Sequence, residues 1–130
     1  MKIIVRGMLL WLMLFTAAFA EKITVTSPEK PIIVHSVKQR DFVIALAANP
    51  TTGYSWFLQS FDDKLIVPVH QKFIHPENKK LMGAGGLSVW TFRIQQTAFI
   101  VPQTTNIEMV YKRPWSNEDE TVQKFRVVID

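Results

Sequence analysis

The chain has 130 residues, nearly half of them hydrophobic and a fifth charged, with a formal net charge of +4. Cysteine is absent, which excludes disulfides, zinc–thiolate sites and thiol nucleophiles together. No basic run is longer than a pair, so the charge pattern gives a nucleic-acid partner no support.

The first twenty residues read as a secretory signal peptide. Lys2 and Arg6 form a short basic start, Met8 to Phe15 an apolar run, and Ala18-Phe19-Ala20 a small-x-small cleavage site. The apolar run is short for a bilayer span, which makes an uncleaved anchor the lesser alternative. No cysteine follows it, so lipid attachment at the cleavage site is excluded. The expected product is exported, periplasmic or secreted, with no membrane association once the leader is removed. It would begin near Glu21 and form one domain over 21–130. Without Lys2 and Arg6, thirteen basic residues stand against eleven acidic ones, a net of +2.

Beyond the leader, apolar residues recur at every second position in short segments. Phe42, Ile44 and Leu46 alternate with smaller residues, as do Trp90, Phe92 and Ile94. Ile107, Met109 and Tyr111 follow, then Phe125, Val127 and Ile129. A period of two marks a strand with one buried face. The pattern predicts seven strands, at 22–37, 41–48, 54–60, 64–75, 88–96, 105–112 and 121–129. Pro28 and Pro31 should kink the first, and Pro68 should place the fourth at an edge or give it a bulge. Seven short strands in one small domain predict an all-β, immunoglobulin-like sandwich without a disulfide.

If successive strands run up and down, alternate connections meet at one end. That end would gather Asn49-Pro50-Thr51-Thr52-Gly53, the stretch from Asn78 to Leu87, and the connection opening Arg113-Pro114-Trp115. All four glycines beyond the leader, Gly53, Gly83, Gly85 and Gly86, fall in the first two. In the first loop Asn49 can cap its own turn, Pro50 fixes φ and Gly53 allows a left-handed exit. Thr51 and Thr52 then form its tip. In the second, Gly83-Ala84-Gly85-Gly86 is a ribbon poor in side chains, open to close backbone approach or extended pairing. An ordinary hairpin loop is the plainer alternative. In the third, Trp115 either folds back over the rim or stands exposed on a proline mount, the residue type favoured at binding hot spots.

Catalytic and metal chemistry find little here. A phosphate loop would need a Lys-Ser/Thr pair opening a helix, whereas Leu87-Ser88-Val89-Trp90 continues as a strand. His70 and His75, five apart, would point to opposite faces of a regular strand, and His35 reads as structural. The glycine-rich rim holds no histidine by this reading. Asp62-Asp63 and Glu118-Asp119-Glu120 read as solvated turns. No enzyme, metal or cofactor is expected.

Taken together, the three loops resemble those of the chagasin family, exported protein inhibitors of papain-like cysteine peptidases. That family carries an NPTTG loop followed by an aromatic residue, a GxGG loop and an RPW loop, in that order on a small immunoglobulin-like domain. The corresponding residues are Asn49, Pro50, Thr51, Thr52, Gly53 and Tyr54, then Gly83, Ala84, Gly85 and Gly86, then Arg113, Pro114 and Trp115. The resemblance implies a monomeric, cofactor-free inhibitor whose partner is a papain-like cysteine peptidase. It implies that Thr51 and Thr52 sit over the catalytic cysteine and histidine, the glycine ribbon on the non-primed side and Trp115 on the primed side. Inhibition would be tight, reversible occlusion. Family members often carry a glycine between the fifth and sixth strands, whereas Gln95 to Thr104 has none. The alternative is an exported glycan- or protein-binding module that uses the same rim.

Overall fold

A computed structural model describes residues 22–75 and 85–130. They form eight strands: β1 Ile23–Val25, β2 Ile32–Val34, β3 Asp41–Ala48, β4 Ser55–Ser60, β5 Ile66–Ile74, β6 Gly86–Ile94, β7 Gln103–Lys112 and β8 Thr121–Ile129. These make two four-stranded sheets, ordered β1-β3-β6-β5 and β2-β8-β7-β4. The expected all-β sandwich is present, and β3 and β8 occupy the predicted ranges. The leader lies outside the described residues.

The predicted first strand is two strands. β1 pairs in parallel with β3, placing Ile23 opposite Phe42, and β2 pairs in parallel with β8, placing Ile32 opposite Val127. Between them the chain crosses from one sheet to the other through a segment containing Pro28 and Pro31. Proline offers no N–H to a ladder, so a break there costs little pairing. The other predicted alternation survives as burial. Phe42, Ile44, Leu46, Phe92, Ile94, Ile107, Met109, Phe125, Val127 and Ile129 all point into one core between the sheets. Phe42 and Phe92, register partners on β3 and β6, stack with centroids 5.5 Å apart.

β5 is an edge strand, and its register against β6 shifts between Pro68 and His70. Both consequences expected of Pro68 therefore occur at once. The bulge and the exposed Lys72 also discourage a second chain from pairing along this edge. The glycine-free segment after β6 contains a 3₁₀ turn at Gln96–Phe99. Ala98 is buried beneath it, and its carbonyl accepts a 2.9 Å bond from Gln103 Nε2.

Candidate functional site

The end of β3 fixes the first loop. After Ala48 the chain enters a 3₁₀ turn at Pro50–Thr52, with Asn49 in extended conformation as its cap. Asn49 Oδ1 accepts from the Thr51 N–H at 3.2 Å and from the Thr51 hydroxyl at 2.6 Å. The Thr52 hydroxyl donates to Asn49 O at 2.7 Å, and Gly53 N–H donates to Pro50 O at 3.1 Å. Gly53 takes φ 84°, the left-handed exit expected of it. The loop is thus closed by its own short polar side chains, with Pro50, Thr51 and Thr52 all exposed.

Beneath it stands Tyr111, near the end of β7. Its hydroxyl accepts from the Asn49 N–H at 3.0 Å. Its ring stacks on Tyr54 at 5.3 Å and leans on Trp56 at 5.0 Å. Trp56 Nε1 in turn donates to Ala47 O at 2.9 Å, on the other sheet. This aromatic group staples the rim of one sheet to that of the other. Sequence reasoning assigned Tyr111 only a strand phase. The available signal was a tyrosine at a strand end, where a half-buried ring needs a partner for its hydroxyl.

The first loop touches both of its neighbours. On one side, the third loop closes with a Ser116 N–H to Arg113 O bond of 3.2 Å. It lays the edge of Trp115 against Gly53, where a Cβ would lie 3.1 Å from the Trp115 ring. Arg113 covers the Tyr54 ring with its guanidinium carbon 4.8 Å from the centroid. Trp115 nonetheless remains 74% exposed. The two readings left open by the sequence both hold in part: one edge leans on the rim and the face looks outward.

On the other side stands Gly85, where a Cβ would press on Ala48 O at 3.1 Å and approach Asn49 Cβ at 3.8 Å. Gly86 plays a different part. It opens β6 opposite Ala48, and a Cβ there would collide with the Ile74 carbonyl and the Phe73 ring. Its bareness is a packing requirement of β5 against β6 before anything else. Gly83 and Ala84 lie outside the described residues.

Trp56 and Trp90 pack on the core, as their strand phase predicted. Trp90 Nε1 donates to the buried Ser88 Oγ at 2.9 Å. Two expectations about histidine need correction. β5 ends at Ile74, which pairs with Leu87 close to the second loop, so the next residue, His75, stands on the glycine-rich pole. Its ring meets Phe73 edge-on at 4.8 Å. His35 lies just past β2, exposed, with Nδ1 3.3 Å from Asp130 Oδ2, rather than inside an apolar strand. Among the described residues no three His, Asp or Glu side chains converge as a metal site.

The architecture therefore defines a small β-sandwich whose first loop is flanked on one rim by Trp115 on one side and by Gly85 on the other. Among solved structures it is similar to the cysteine protease inhibitor EhICP2 from Entamoeba histolytica, with TM-score 0.63 and 22% identity over 83% of this chain and 95% of that one. Amebosin matches with TM-score 0.62 and 22% identity, over 83% and 97% of the two chains. PbICP-C, solved in complex with falcipain-2, matches with TM-score 0.53 and 18% identity, over 85% and 91%. No curated protein matches the chain. The family described as chagasin family peptidase inhibitor I42 matches residues 37–129, and the chain belongs to that family, one of inhibitors rather than enzymes.

Proposed function

We propose that the protein is a tight, reversible inhibitor of papain-like cysteine peptidases. It acts as a monomer after export and fills the target's active-site cleft with its three loops. The observation that carries this reading is the central place of the first loop, in contact with Trp115 through Gly53 on one side and with Gly85 through Ala48 and Asn49 on the other. A cleft is long and narrow, and an insert for it needs a stiff middle with a shoulder on each side.

The physical chemistry of each part suits that task. Asn49 and Pro50 hold the tip in one conformation before docking, which reduces the entropy lost on binding. Thr51 and Thr52 would then stand over the catalytic cysteine and histidine, presenting small hydroxyls and no peptide bond aligned for attack. Gly85 would let the ribbon lie close to the non-primed side, and Trp115 would offer an exposed, proline-braced aromatic to the primed side. A rim of this extent is compatible with the roughly 1,600 Å² buried in a standard inhibitor complex. Similar structures that include a cysteine protease inhibitor and a complex with falcipain-2 support the same class of target.

Titration of papain with the purified protein tests the reading. Stoichiometric loss of peptidase activity, recovered on dilution, is the expected result. Full activity at high micromolar protein would reject it and leave the rim as the binding face for some other macromolecule.

A further inference from the structure

The other pole carries a second feature. Where β3 begins, a hollow opens between Lys22 ahead of β1, Lys38 and Arg40 from the 3₁₀ turn and its exit, and Arg93 near the end of β6. Asp41 is the carboxylate in its lining. Arg93 grips that carboxylate in a fork, Nε to Oδ1 at 2.8 Å and Nη2 to Oδ2 at 3.1 Å. One guanidinium therefore satisfies the acid. Lys22, Lys38 and Arg40 make no ion pair among the described residues, yet they line the same hollow. Asp41 registers the charge of two of them, Lys22 and Arg40. Its carboxyl is held below the usual range first by the Arg93 hydrogen bond, against the effect of burial, and then by the charges of Arg93, Lys22 and Arg40.

Three cations, Lys22 from ahead of β1 and Lys38 and Arg40 from the 3₁₀ turn and its exit, line one hollow with no ion pair among the described residues, and they repel one another unless an anion joins them. A single carboxylate brings one charge and two oxygens. A phosphate group brings more of both and can accept from a guanidinium and two ammonium groups at once. We propose that this hollow binds a phosphate group, free or carried on a lipid headgroup. β3 separates the site from the first loop by eight residues, roughly 25 Å at strand rise. Occupancy leaves the rim open, and the inference stands whether or not the rim binds a peptidase.

The test follows backbone amide shifts of the protein as inorganic phosphate is added at low ionic strength. Saturating shifts confined to Lys22, Gln39, Arg40, Asp41 and Arg93 are expected. The double variant Lys38→Gln/Arg40→Gln should weaken binding about tenfold or more, the scale of a lost charge-assisted hydrogen bond. Lys124→Gln, which removes a charge from the β8 face, should leave it unchanged. Asp41→Asn should tighten binding by removing the competing carboxylate, a gain that damage to the fold does not imitate. Sedimentation with phosphatidylglycerol vesicles, lost in the double variant, would assign the lipid source; saturation by phosphate without vesicle retention would assign the free ion. Shifts that never saturate, or that spread equally around Lys112 and Lys124, would overturn the site, as would weaker binding in Asp41→Asn.

Discussion

The two poles of this sandwich are held together by different chemistry. At the rim, Tyr54, Trp56 and Tyr111 form an aromatic group, and Asn49 and Thr52 close the first loop with hydrogen bonds. At the far pole, 3₁₀ turns and the Arg93–Asp41 fork do the fastening. The rim leaves Trp115 in solvent and buries Trp56, and the far pole buries Ala98 in its turn while the adjoining Ile100 and Val101 stay exposed. Aromatic stacking fixes loop shape without consuming the polar groups a partner would use, and ion pairing leaves a surplus of charge. Stability resides in neither pole: it resides in the core between the sheets.

That division can be broken from the core outward. Phe92, fully buried and stacked on Phe42, is the first target. Phe92→Ala should cost about 3–5 kcal/mol of stability, a large share of what a domain of this size has. Thermal or urea unfolding would measure it. Residual folded variant should still inhibit, since no rim contact is removed. A folded but inactive Phe92→Ala would show that core and rim are coupled.

Trp115→Ala reverses the pattern. It should weaken peptidase inhibition by about 2 kcal/mol or more, roughly thirtyfold in the inhibition constant. The midpoint of unfolding should barely move, because the ring face buries little. A sharp loss of stability instead would mean that the edge contact with Gly53 is a structural brace and that the rim has no free anchor.

Much of this contrast was legible in the sequence, for physical reasons that differ by region. Strands such as β3 and β8 announce themselves because one buried face imposes a period of two, and their ranges matched. The first loop was legible because Asn49, Pro50 and Gly53 each have a conformational preference that acts locally. The split of the first strand was visible only as a kink at Pro28 and Pro31, since which sheet a strand joins depends on distant partners such as Phe42 and Val127. Tyr111 and the divided roles of Gly85 and Gly86 were hidden for the same reason. A tyrosine at a strand end signals that its hydroxyl needs a partner, but a donor 62 positions away leaves no local pattern that identifies it. Nor do neighbouring glycines reveal that a side chain at Gly86 would collide with Ile74 and Phe73 while one at Gly85 would press on Ala48.

Tyr111→Phe sharpens the comparison at the seam between body and rim. The ring and its stacking on Tyr54 and Trp56 remain, and only the oxygen that receives the Asn49 N–H is lost. Stability should fall by about 1 kcal/mol, the usual worth of one such bond. Inhibition should weaken by a similar or smaller amount, through a less ordered first loop. Unchanged inhibition would locate the loop's rigidity entirely in the side chains of Asn49 and Thr52.

The smallest expected effect belongs to the far pole and is read by pH. The Arg93 fork holds the Asp41 carboxyl below its ordinary value of 3.8. In the unfolded chain the group takes up its proton near that ordinary value, while the folded protein resists until the pH is lower. Between the two values the unfolded state binds more protons, so stability rises with pH through that window. The contribution is complete above 3.8 and disappears as the pH falls through the folded value. Asp41→Asn should therefore be slightly less stable than the parent at neutral pH, with the gap closing under acid. Unfolding midpoints of both proteins, compared from about pH 6 down to about pH 3, would show it. A gap that stayed constant down to the lowest pH would mean that Asp41 steadies this pole by shape and not by charge, and the far pole would then resemble the rim more closely than its ion pair implies.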